Sequence, residues 1–380
     1  MTKVCIISTV HNALDNRIFY KEALSLEKAG FEVSLIAVHD KPDTLHGISI
    51  LPLPRLSRSR RPKLWWKVIH LALSNRADIF HIHDPELLLV SPLIRLLTRK
   101  PVIYDIHEAN ADFIETKEDI PNTLRQILAW SFRWFEPIMA RFQSGLIFAD
   151  DQVAKIFAHV NLPKTTLFNF PERSFLDNAF VLSQQSQGHQ PIVLHLGGQK
   201  RFRGTDLMLD SFQQVLEAIP QAQLVLVGPF SPASLESEFR LEVDRRNMTG
   251  SITITGQVPF VEVSKYLVQA SVGWIPWLPV AKNLKNIPTK LFEYQAFAIP
   301  VVSSDLPSTQ PFIEHRKTGL LVTADDPSAH ANAIIELLTH QEYASVLGKN
   351  GQEAVREHYC WSDMEPRLLG LYQRILSPKN

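Results

Sequence analysis

Residues 286–305 read NIPTKLFEYQAFAIPVVSSD, and this stretch decides the fold class. A loop that ends in proline predicts a helix that begins at about Thr289. The apolar run 301–304 then predicts a short buried strand that ends in serines and an aspartate. A loop, a helix and a buried strand in this order are typical of a parallel α/β sheet.

The start of this predicted helix carries groups that bind a diphosphate. Free backbone amides and positive potential lie at a helix N-terminus, and Lys290 adds a point charge. Glu293 lies one turn further along the same face and can accept two hydrogen bonds from a ribose diol. The alternative interpretation is an ordinary solvent-exposed Lys/Glu pair.

The same alternation of short β-branched runs and amphipathic stretches extends through most of the chain. Near-continuous Val/Ile/Leu runs with helices between them indicate parallel sheets covered on both faces. The helix-length stretches include 19–29, 205–218 and 329–339. The predicted strands are 4–9, 32–38, 48–53, 79–83, 102–107, 145–148, 166–169, 192–197, 223–228, 251–256, 272–276, 301–304 and 320–323.

The length of 380 residues exceeds the size at which one hydrophobic core usually stops growing. The polar stretch LSQQSQGHQ at 182–190 has little to bury and resembles an interdomain linker. We therefore expect an N-terminal domain over 1–175, a linker over 176–190 and a C-terminal domain over 191–360. Each domain resembles a doubly wound sheet of the Rossmann-like type, whose ligands bind beyond the carboxyl ends of the strands.

Charge and cysteine content exclude several classes of protein. The 39 basic residues balance 39 acidic ones, so nothing in the overall charge favours nucleic acid, and no nucleic-acid partner is expected. The two cysteines, Cys5 and Cys360, are too few to staple the chain and predict a reduced, cytoplasmic protein. No opening signal peptide is predicted, and no apolar run approaches the roughly 20 residues of a membrane span.

A second block, HLGGQKRFRGT at 195–205, leads from a strand into a glycine-rich, basic loop and then into a helix. Such a loop is typical of a phosphate cradle. Arg201 and Arg203 can each offer bidentate guanidinium contacts to a diphosphate. Gly228 and the run ITGQV at 254–258 are further candidates for ligand binding. The alternative is that these glycines merely end strands.

The 286–305 block resembles the nucleotide-sugar signature of retaining glycosyltransferases of family 4, which have the GT-B fold. That resemblance implies two Rossmann-like domains that face each other across a cleft, with residues 361–380 crossing back to the first domain. It places Glu293 on the donor ribose. The signature's first glutamate, which contacts the donor sugar, corresponds to Lys285 here. The candidates for replacing it are Lys282, Asn283 and Asn286.

The basic loop resembles the family's Gly-Arg…Lys-Gly element, with Arg203 in place of the lysine and Gly198 in place of the arginine. The resemblance implies that basic side chains neutralise the leaving diphosphate. The residues expected to act in catalysis are His107, Arg201, Arg203 and Lys290. The residues expected to bind the donor are Gly197, Gly198, Gly204, Gly228, Val258 and Glu293.

In the N-terminal half, the strand 101–107 ends in YDIHE, and the resemblance places His107 at the reacting sugar. Imidazole can donate to an oxyanion or accept from a hydroxyl near neutral pH. The alternative is a strand-end histidine bonded to a backbone carbonyl. The run HIHDPE at 81–86 could ligate a metal, but no metal and no cofactor are expected, and an acceptor-side role is predicted for His83 and Asp84.

The first loop, TVHNALDNR at 9–17, takes the place of a glycine pair in many relatives. We expect His11, Asp15 and Arg17 to line the cleft on the acceptor side. A helix-capping role is the alternative for Asp15.

A basic segment suggests contact with a membrane surface. Residues 55–76 contain seven Lys/Arg and no acid, with Trp65 and Trp66 among them. Each base near an anionic leaflet contributes on the order of 1 kcal/mol, and tryptophan prefers the headgroup zone. We expect a peripheral contact on the inner face of the cytoplasmic membrane through Arg55–Lys67, with a solvated basic loop as the alternative. The aromatics of a second stretch, 125–142, are expected to face the core.

These features predict a retaining glycosyltransferase that moves a sugar from a nucleoside-diphosphate sugar to an acceptor, either lipid-linked or a growing polysaccharide. No side chain is placed as a nucleophile, so a same-face mechanism is the working hypothesis. One alternative is a nucleotide-sugar epimerase, which needs no acceptor. The other is a degenerate, non-catalytic partner subunit, suggested by Lys285 and Gly198.

Overall fold

The structure of the protein, a computed structural model, describes residues 1–117, 120–184 and 190–377. The chain divides into two compact units. The first contains Met1–Lys117, Pro121–Asn169 and the residues from Trp361 onward, and the second contains Phe170–Cys360.

The strands of the first unit are β1 (Lys3–Asn12), β2 (Glu32–Val38), β3 (Asp43–Leu45), β4 (Ile48–Leu53), β5 (Ile79–Ile82), β6 (Val102–Ile106), β7 (Gly145–Phe148) and β8 (Lys164–Thr166). Its helices are α1 (Leu24–Lys28), α2 (Trp65–Asn75), α3 (Ser91–Thr98), α4 (Asn110–Glu115), α5 (Asn122–Ala140) and α6 (Asp151–Ile156), and the C-terminal helix Glu365–Leu376 completes it. A π-helix, Asn16–Ala23, precedes α1, and 3₁₀ turns cover Arg58–Leu64 and Pro85–Leu89.

The strands of the second unit are β9 (Ile192–Leu196), β10 (Gln223–Val227), β11 (Ile252–Gly256), β12 (Val272–Ile275), β13 (Val301–Ser304) and β14 (Leu320–Val322). Its helices are α7 (Arg173–Ser183), α8 (Thr205–Ala218), α9 (Ser234–Arg245), α10 (Phe260–Gln269), α11 (Lys290–Ala296), α12 (Pro327–Thr339) and α13 (Gln341–His358), so the C-terminal helix of the first unit is α14.

The first unit is built on an eight-stranded sheet in the order β3-β4-β2-β1-β5-β6-β7-β8. All neighbouring pairs are parallel except β3 with β4. The central strands β5 and β6 are buried along their length, and most of their side chains are apolar. In α14, the Tyr372 hydroxyl lies 3.0 Å from His81 Nδ1 on β5.

The second unit is built on a six-stranded parallel sheet in the order β11-β10-β9-β12-β13-β14. Its order reverses at β9, where a doubly wound sheet places its ligand-binding crevice. Tyr294 ties α11 to this central strand: its hydroxyl donates to the Leu194 carbonyl at 3.0 Å and accepts from the Leu196 amide at 2.7 Å. The α/β class with two parallel sheets, predicted from sequence, is therefore confirmed.

Several local predictions differ from the structure. The stretch expected to be a linker contains helix α7, which buries Leu176 and Ala179, and residues 185–189 lie outside the described part of the chain. The strand expected at 166–169 is instead β8, which ends at Thr166. The antiparallel strand β3 was not predicted because its three residues, DTL, are short and polar.

The expectation that the aromatics of 125–142 face the core is wrong for Trp130, Trp134 and Phe142, of which Phe142 is 55% exposed. Trp130 and Trp134 on α5 are 64% and 63% exposed. The buried face of this helix is occupied by smaller or polar residues, Ala129, Glu136 and Ala140. Among the described residues, no helix is both long enough and apolar enough to span a bilayer.

Candidate functional site

Glycine residues lie at the carboxyl ends of β9, β10 and β11 in the second unit. Gly197 follows β9, and its amide donates to the Val227 carbonyl at 2.8 Å. Gly228 follows β10 with a φ of 138°, and a Cβ there would lie 2.2 Å from the Gly197 carbonyl oxygen. Only glycine fits such an approach. The Gly228 amide donates in turn to the Gly256 carbonyl at 2.9 Å, so three adjacent strands end in backbone that a ligand can reach.

A third glycine sets the start of α8. Gly204 has a φ of 87°, and a Cβ there would lie 2.0 Å from the Pro276 carbonyl oxygen. The residue before the 14-residue helix is therefore packed directly against the end of β12. This arrangement leaves the first amides of α8 at the carboxyl edge of the sheet, where anions bind.

The two arginines of the basic loop point to different partners. Arg203 Nη1 donates to the Gly198 carbonyl at 3.0 Å, and its guanidinium lies 5.5 Å from the centre of the Trp277 ring. Arg201 pairs with Asp206 at 3.3 Å and with Glu238 on α9. Arg203 thus lies over the glycine turn, whereas Arg201 lies along the groove between α8 and α9.

The Lys290–Glu293 pair of α11 is not the solvated pair of the alternative interpretation. Lys290 Nζ lies 2.7 Å from Glu293 Oε1, and the Glu293 side chain is only 12% exposed. Glu293 Oε2 is buried and has no hydrogen-bond partner among the described residues. One carboxylate oxygen therefore remains to accept a hydrogen bond from a ligand.

The loop before α11 packs on the basic loop through Asn283. Its Nδ2 donates to the carbonyls of Phe202 at 2.6 Å and Leu278 at 2.8 Å, and the residue is buried. Asn283 therefore positions the two loops against each other. Asn283 Oδ1 and Asn286 Oδ1 are both buried without a hydrogen-bond partner in the described part of the chain. Both asparagines proposed to replace the first signature glutamate therefore offer an amide oxygen to a ligand, but the amide nitrogen of Asn283 is already engaged between the two loops. Val258, in the loop after β11, is half-buried.

In the first unit, two histidines meet where β5 and β6 end. His83 Nδ1 lies 3.0 Å from His107 Nε2, and His107 Nε2 lies 3.6 Å from Asp105 Oδ2. His83 is buried, whereas the His107 side chain keeps 21% of its surface exposed. His107 is therefore bonded to a second imidazole, and part of its ring remains open to a ligand.

These histidines border a cavity of about 460 Å³ within the first unit. His11, Asp84 and His107 contribute polar groups to its wall. Sequence reasoning missed several other polar and apolar lining residues, although the basic run and Trp65 were a signal for this region. They include Arg58, Arg61, Trp65, Glu86, Leu89, Glu108, Asn110, Phe113, Lys117, Phe132 and Phe135.

Comparison with known proteins agrees with this arrangement of two units. The model "Glycosyltransferase Family 4" matches residues 16–168, and "Glycosyl transferases group 1" matches residues 190–340, so the two matches together cover most of the chain. The chain belongs to glycosyltransferase family 4.

Relatives and solved structures extend the match. A phosphatidyl-myo-inositol mannosyltransferase of Mycolicibacterium smegmatis is 23% identical over 92% of this glycosyltransferase and 87% of its own length. YtcC of Bacillus subtilis, a putative glycosyltransferase, is 26% identical, but this chain spans only 46% of its length. The structure of sucrose-phosphate synthase from Thermosynechococcus elongatus superposes with a TM-score of 0.80, covering 99% of both chains at 19% identity. That likeness confirms the GT-B fold.

A buried charge cluster of the transferase corrects the expectation for Arg17. Arg17 is 5% exposed, its Nε and Nη2 both donate to Asp105, and Nη1 donates to the Leu167 carbonyl at 2.8 Å. Its Nε also lies 2.9 Å from Glu22 Oε1. The Arg17 guanidinium is buried against Asp105 and Glu22, so it is not available to contact an acceptor. The signal that could have revealed this cluster is Asp105, an acid within the otherwise apolar strand VIYDI.

The pKa values of this cluster follow from burial and from Arg17. Burial would raise the pKa of Asp105, but the Arg17 charge holds it well below its usual range. Burial and the nearby Asp105 raise the pKa of Glu22. Burial lowers the pKa of His81 to about 4, so this imidazole is neutral at pH 7.

The same cluster contains the residues of the transferase best placed to hold a metal. Glu22, His81, His83 and Asp105 each offer an atom within 4.8 Å of the others. Arg17 already contacts both acids, and the raised pKa of Glu22 favours its neutral form, so the charge of Asp105 is compensated without an ion. The sequence-based expectation that no metal takes part stays a prediction.

Asp84 and Asp15 shape the loop that follows β1. Asp84 is buried and accepts from the Thr9 amide at 2.6 Å and the Ser8 hydroxyl at 2.9 Å. Asp15 caps the π-helix by accepting from the Ile18 amide at 3.0 Å, and it also lies 3.2 Å from His11 Nδ1. The helix-capping role considered for Asp15 is therefore present, together with contact to a cavity-lining histidine.

His11 and Asp15 each favour the charged form of the other. Burial opposes the charge on His11, but the hydrogen bond with Asp15 and the surrounding carboxylates outweigh it and raise the pKa of His11. Burial likewise opposes ionisation of Asp15, but the bond with His11 lowers the pKa of Asp15 to about 2. The cavity of the first unit therefore has a cationic group in its wall at mildly acidic pH.

Proposed function

We propose that this glycosyltransferase moves a sugar from a nucleoside-diphosphate sugar to an acceptor, with retention of the anomeric configuration. The observation that carries the proposal is Glu293, whose Oε2 is buried and has no hydrogen-bond partner among the described residues. A buried carboxylate oxygen is costly without a donor, and the two hydroxyls of a ribose supply donors. The Anabaena protein HepE, whose structure contains UDP-glucose, superposes with a TM-score of 0.74.

The diphosphate would bind at the glycine turns of the second unit. The backbone there allows close approach, and Arg203 already lies over the Gly198 carbonyl. Positive charge from Arg203 and Lys290 would stabilise the leaving diphosphate in the transition state. Asn286 is the group we propose for contact with the donor sugar, in place of the glutamate that the family signature has at Lys285.

The acceptor would bind in the cavity of the first unit. Its walls combine apolar rings with basic and hydroxyl-binding groups, which suits an amphiphilic molecule that carries an anionic group. His107 keeps part of its ring exposed in this wall, and it can hydrogen-bond a reacting hydroxyl. The mycolicibacterial relative is named for transfer to phosphatidyl-myo-inositol. We propose a lipid-linked acceptor here, with the basic segment Arg55–Lys67 in peripheral contact with the membrane.

A donor screen with a matched variant tests the transferase proposal. Binding and slow hydrolysis of UDP-, GDP- and ADP-sugars are measured for the wild type, Glu293→Ala and Glu262→Ala. Glu262 forms the same kind of pair with Lys265 three residues away, but both side chains are exposed. One donor is expected to bind and release its nucleoside diphosphate, and Glu293→Ala alone is expected to lose that binding. Equal behaviour of the two variants would contradict the proposal.

The stereochemical part of the proposal has its own test. Once the donor and an acceptor are known, the anomeric configuration of the first product is determined by NMR before mutarotation. In a same-face mechanism the acceptor hydroxyl attacks from the side of the departing diphosphate, so the configuration is retained. An inverted product would exclude this mechanism.

A further inference from the structure

The outer surface of α5 carries a stripe of large apolar side chains. They recur at spacings of three and four residues, the period of one helix face. Trp130 and Trp134 are nearly two-thirds exposed, and no charged residue stands among the members of the stripe. The exposed members are Leu124, Ile127, Leu128, Trp130, Trp134 and Ile138. The opposite side of α5 packs against the rest of the first unit. The helix therefore has apolar side chains on its buried side and on its exposed side.

A second helix extends the same surface. On α3, Leu96 is 73% exposed, and Leu93 and Leu97 are exposed beside it. Arg95 joins α3 to the end of α5, because its Nη1 donates to the carbonyls of Phe142 at 2.6 Å and Gln143 at 3.0 Å. The Phe142 ring at this junction is itself exposed. We call the exposed apolar residues of α3, α5 and Phe142 the α3–α5 face.

The two segments that form the α3–α5 face carry more bases than acids. Residues 91–101 contain three bases and no acid, and residues 121–142 contain three bases and one acid, Glu136. Glu136 is buried and accepts hydrogen bonds from Tyr104 and Asn110, so it adds no negative charge to the surface. Two of these bases are paired with acids, Arg133 with Asp112 and Glu115, and Lys100 with Asp78. In a chain whose net charge is zero, this local excess of bases matches an anionic partner.

We propose that the α3–α5 face inserts into the interfacial zone of an anionic lipid bilayer, with Trp130 and Trp134 at headgroup depth. Indole rings favour that zone, apolar side chains gain by leaving water, and the bases meet anionic headgroups. A second copy of the chain is a less suitable partner for this face. In a two-fold dimer the bases around the face in one copy would lie against the same bases in the other copy and repel them. Trp66 on α2, which is 76% exposed, continues the aromatic character next to the basic segment.

The inference rests on the proposed lipid-linked acceptor and goes beyond it in one respect. Phe132 and Phe135 of α5 line the cavity of the first unit, whereas Trp130 and Trp134 of the same helix are exposed. The helix that would enter the lipid therefore also forms a wall of the cavity proposed for the acceptor. An acceptor anchored in the bilayer would reach that cavity along α5 without leaving the interface.

Vesicle flotation tests the proposal without any donor or acceptor. The full chain is mixed with phosphatidylcholine vesicles, with or without about a third phosphatidylglycerol, and the floated fraction is measured at low and high salt. We expect binding to the anionic vesicles that weakens as salt rises. Trp130→Ser combined with Trp134→Ser is expected to lower the partition coefficient by at least about tenfold.

The control variant combines Leu241→Ser and Val346→Ser, which change exposed apolar residues in the second unit. Its partition coefficient is expected to equal that of the wild type. The proposal is overturned if the wild type does not float, or if the tryptophan variant floats as well as the wild type. It is also overturned if light scattering shows a dimer that the tryptophan variant converts to a monomer. Donor hydrolysis by the tryptophan variant is expected to be unchanged, so failure of the transferase proposal would show separately, in the Glu293→Ala screen.

Discussion

The two candidate sites are built in opposite ways. In the first unit, the groups around His83 and His107 are charged or polar side chains, and Arg17 compensates the buried acids Asp105 and Glu22. In the second unit, the ends of three adjacent strands are glycine backbone. A site made of side chains depends on charge balance, whereas a site made of backbone depends on the absence of a Cβ. The two sites should therefore fail under different substitutions.

The largest expected effect is loss of charge balance in the first unit. Arg17→Met leaves the buried, ionised Asp105 without its cation and removes the partner of Glu22, so we expect the free energy of unfolding to fall by about 3–5 kcal/mol. Chemical denaturation at pH 7 measures it. The matched control is Arg240→Met, which removes an exposed arginine paired with Glu236 and should cost less than about 0.5 kcal/mol. Similar losses in the two variants would show that the buried cluster does not depend on Arg17.

A smaller loss is expected when a Cβ is added to the backbone site. Gly228→Ala forces a side chain into a backbone approach of 2.2 Å at a φ of 138°, which should cost about 3 kcal/mol. Thermal unfolding of this variant is compared with that of Gly250→Ala, where an added Cβ meets nothing within 4 Å. If both variants unfold at the wild-type temperature, the close backbone approach at Gly228 is contradicted.

The buried acid of α5, Glu136, should make the free energy of unfolding depend on pH. Burial raises the pKa of Glu136 to about 7 from 4.5, although hydrogen bonds from Tyr104 and Asn110 oppose the shift. Above pH 4.5 the unfolded chain releases this proton while the folded chain keeps it. The contribution of Glu136 to the free energy of unfolding is therefore fully present below pH 4.5 and is lost as pH rises towards 7. By about pH 6 the loss is roughly 2 kcal/mol.

Glu136→Gln should remove that dependence, because its amide oxygen still accepts from Tyr104 and Asn110 but the side chain no longer titrates. Urea unfolding from pH 5 to pH 7 is the measurement. Glu353→Gln on α13 is the control and should keep the wild-type slope, since this side chain is exposed. A Glu136→Gln variant with the wild-type slope would contradict the raised pKa.

Sequence alone predicted the parts of the fold that local pattern determines. Apolar runs gave the bounds of β2, β4, β7 and β13 as the structure has them. The turn glycines and the Lys290–Glu293 pair were also found, because their conformation and spacing are local properties.

What sequence could not predict depends on contacts between distant residues. Arg17 and Asp105 are 88 positions apart, and no local pattern shows that they meet in the core. The outward direction of Trp130 and Trp134 was missed for a similar reason: both faces of α5 are apolar, so the pattern does not say which face is buried. The sequence also could not show which of Arg201 and Arg203 contacts the diphosphate, because the two arginines differ only in the partners they have in the folded loop.

That last difference allows the most direct test of the central claim, that Arg203 over the glycine turn holds the donor diphosphate. The affinity for UDP, GDP and ADP is measured by calorimetry for the wild type, Arg203→Met and Arg201→Met. For the nucleotide that binds, we expect Arg203→Met to raise Kd by about tenfold or more. Arg201→Met is expected to change Kd less than about threefold, because this side chain pairs with Asp206 and Glu238. An equal loss in both variants, or a larger loss for Arg201→Met, would contradict the account.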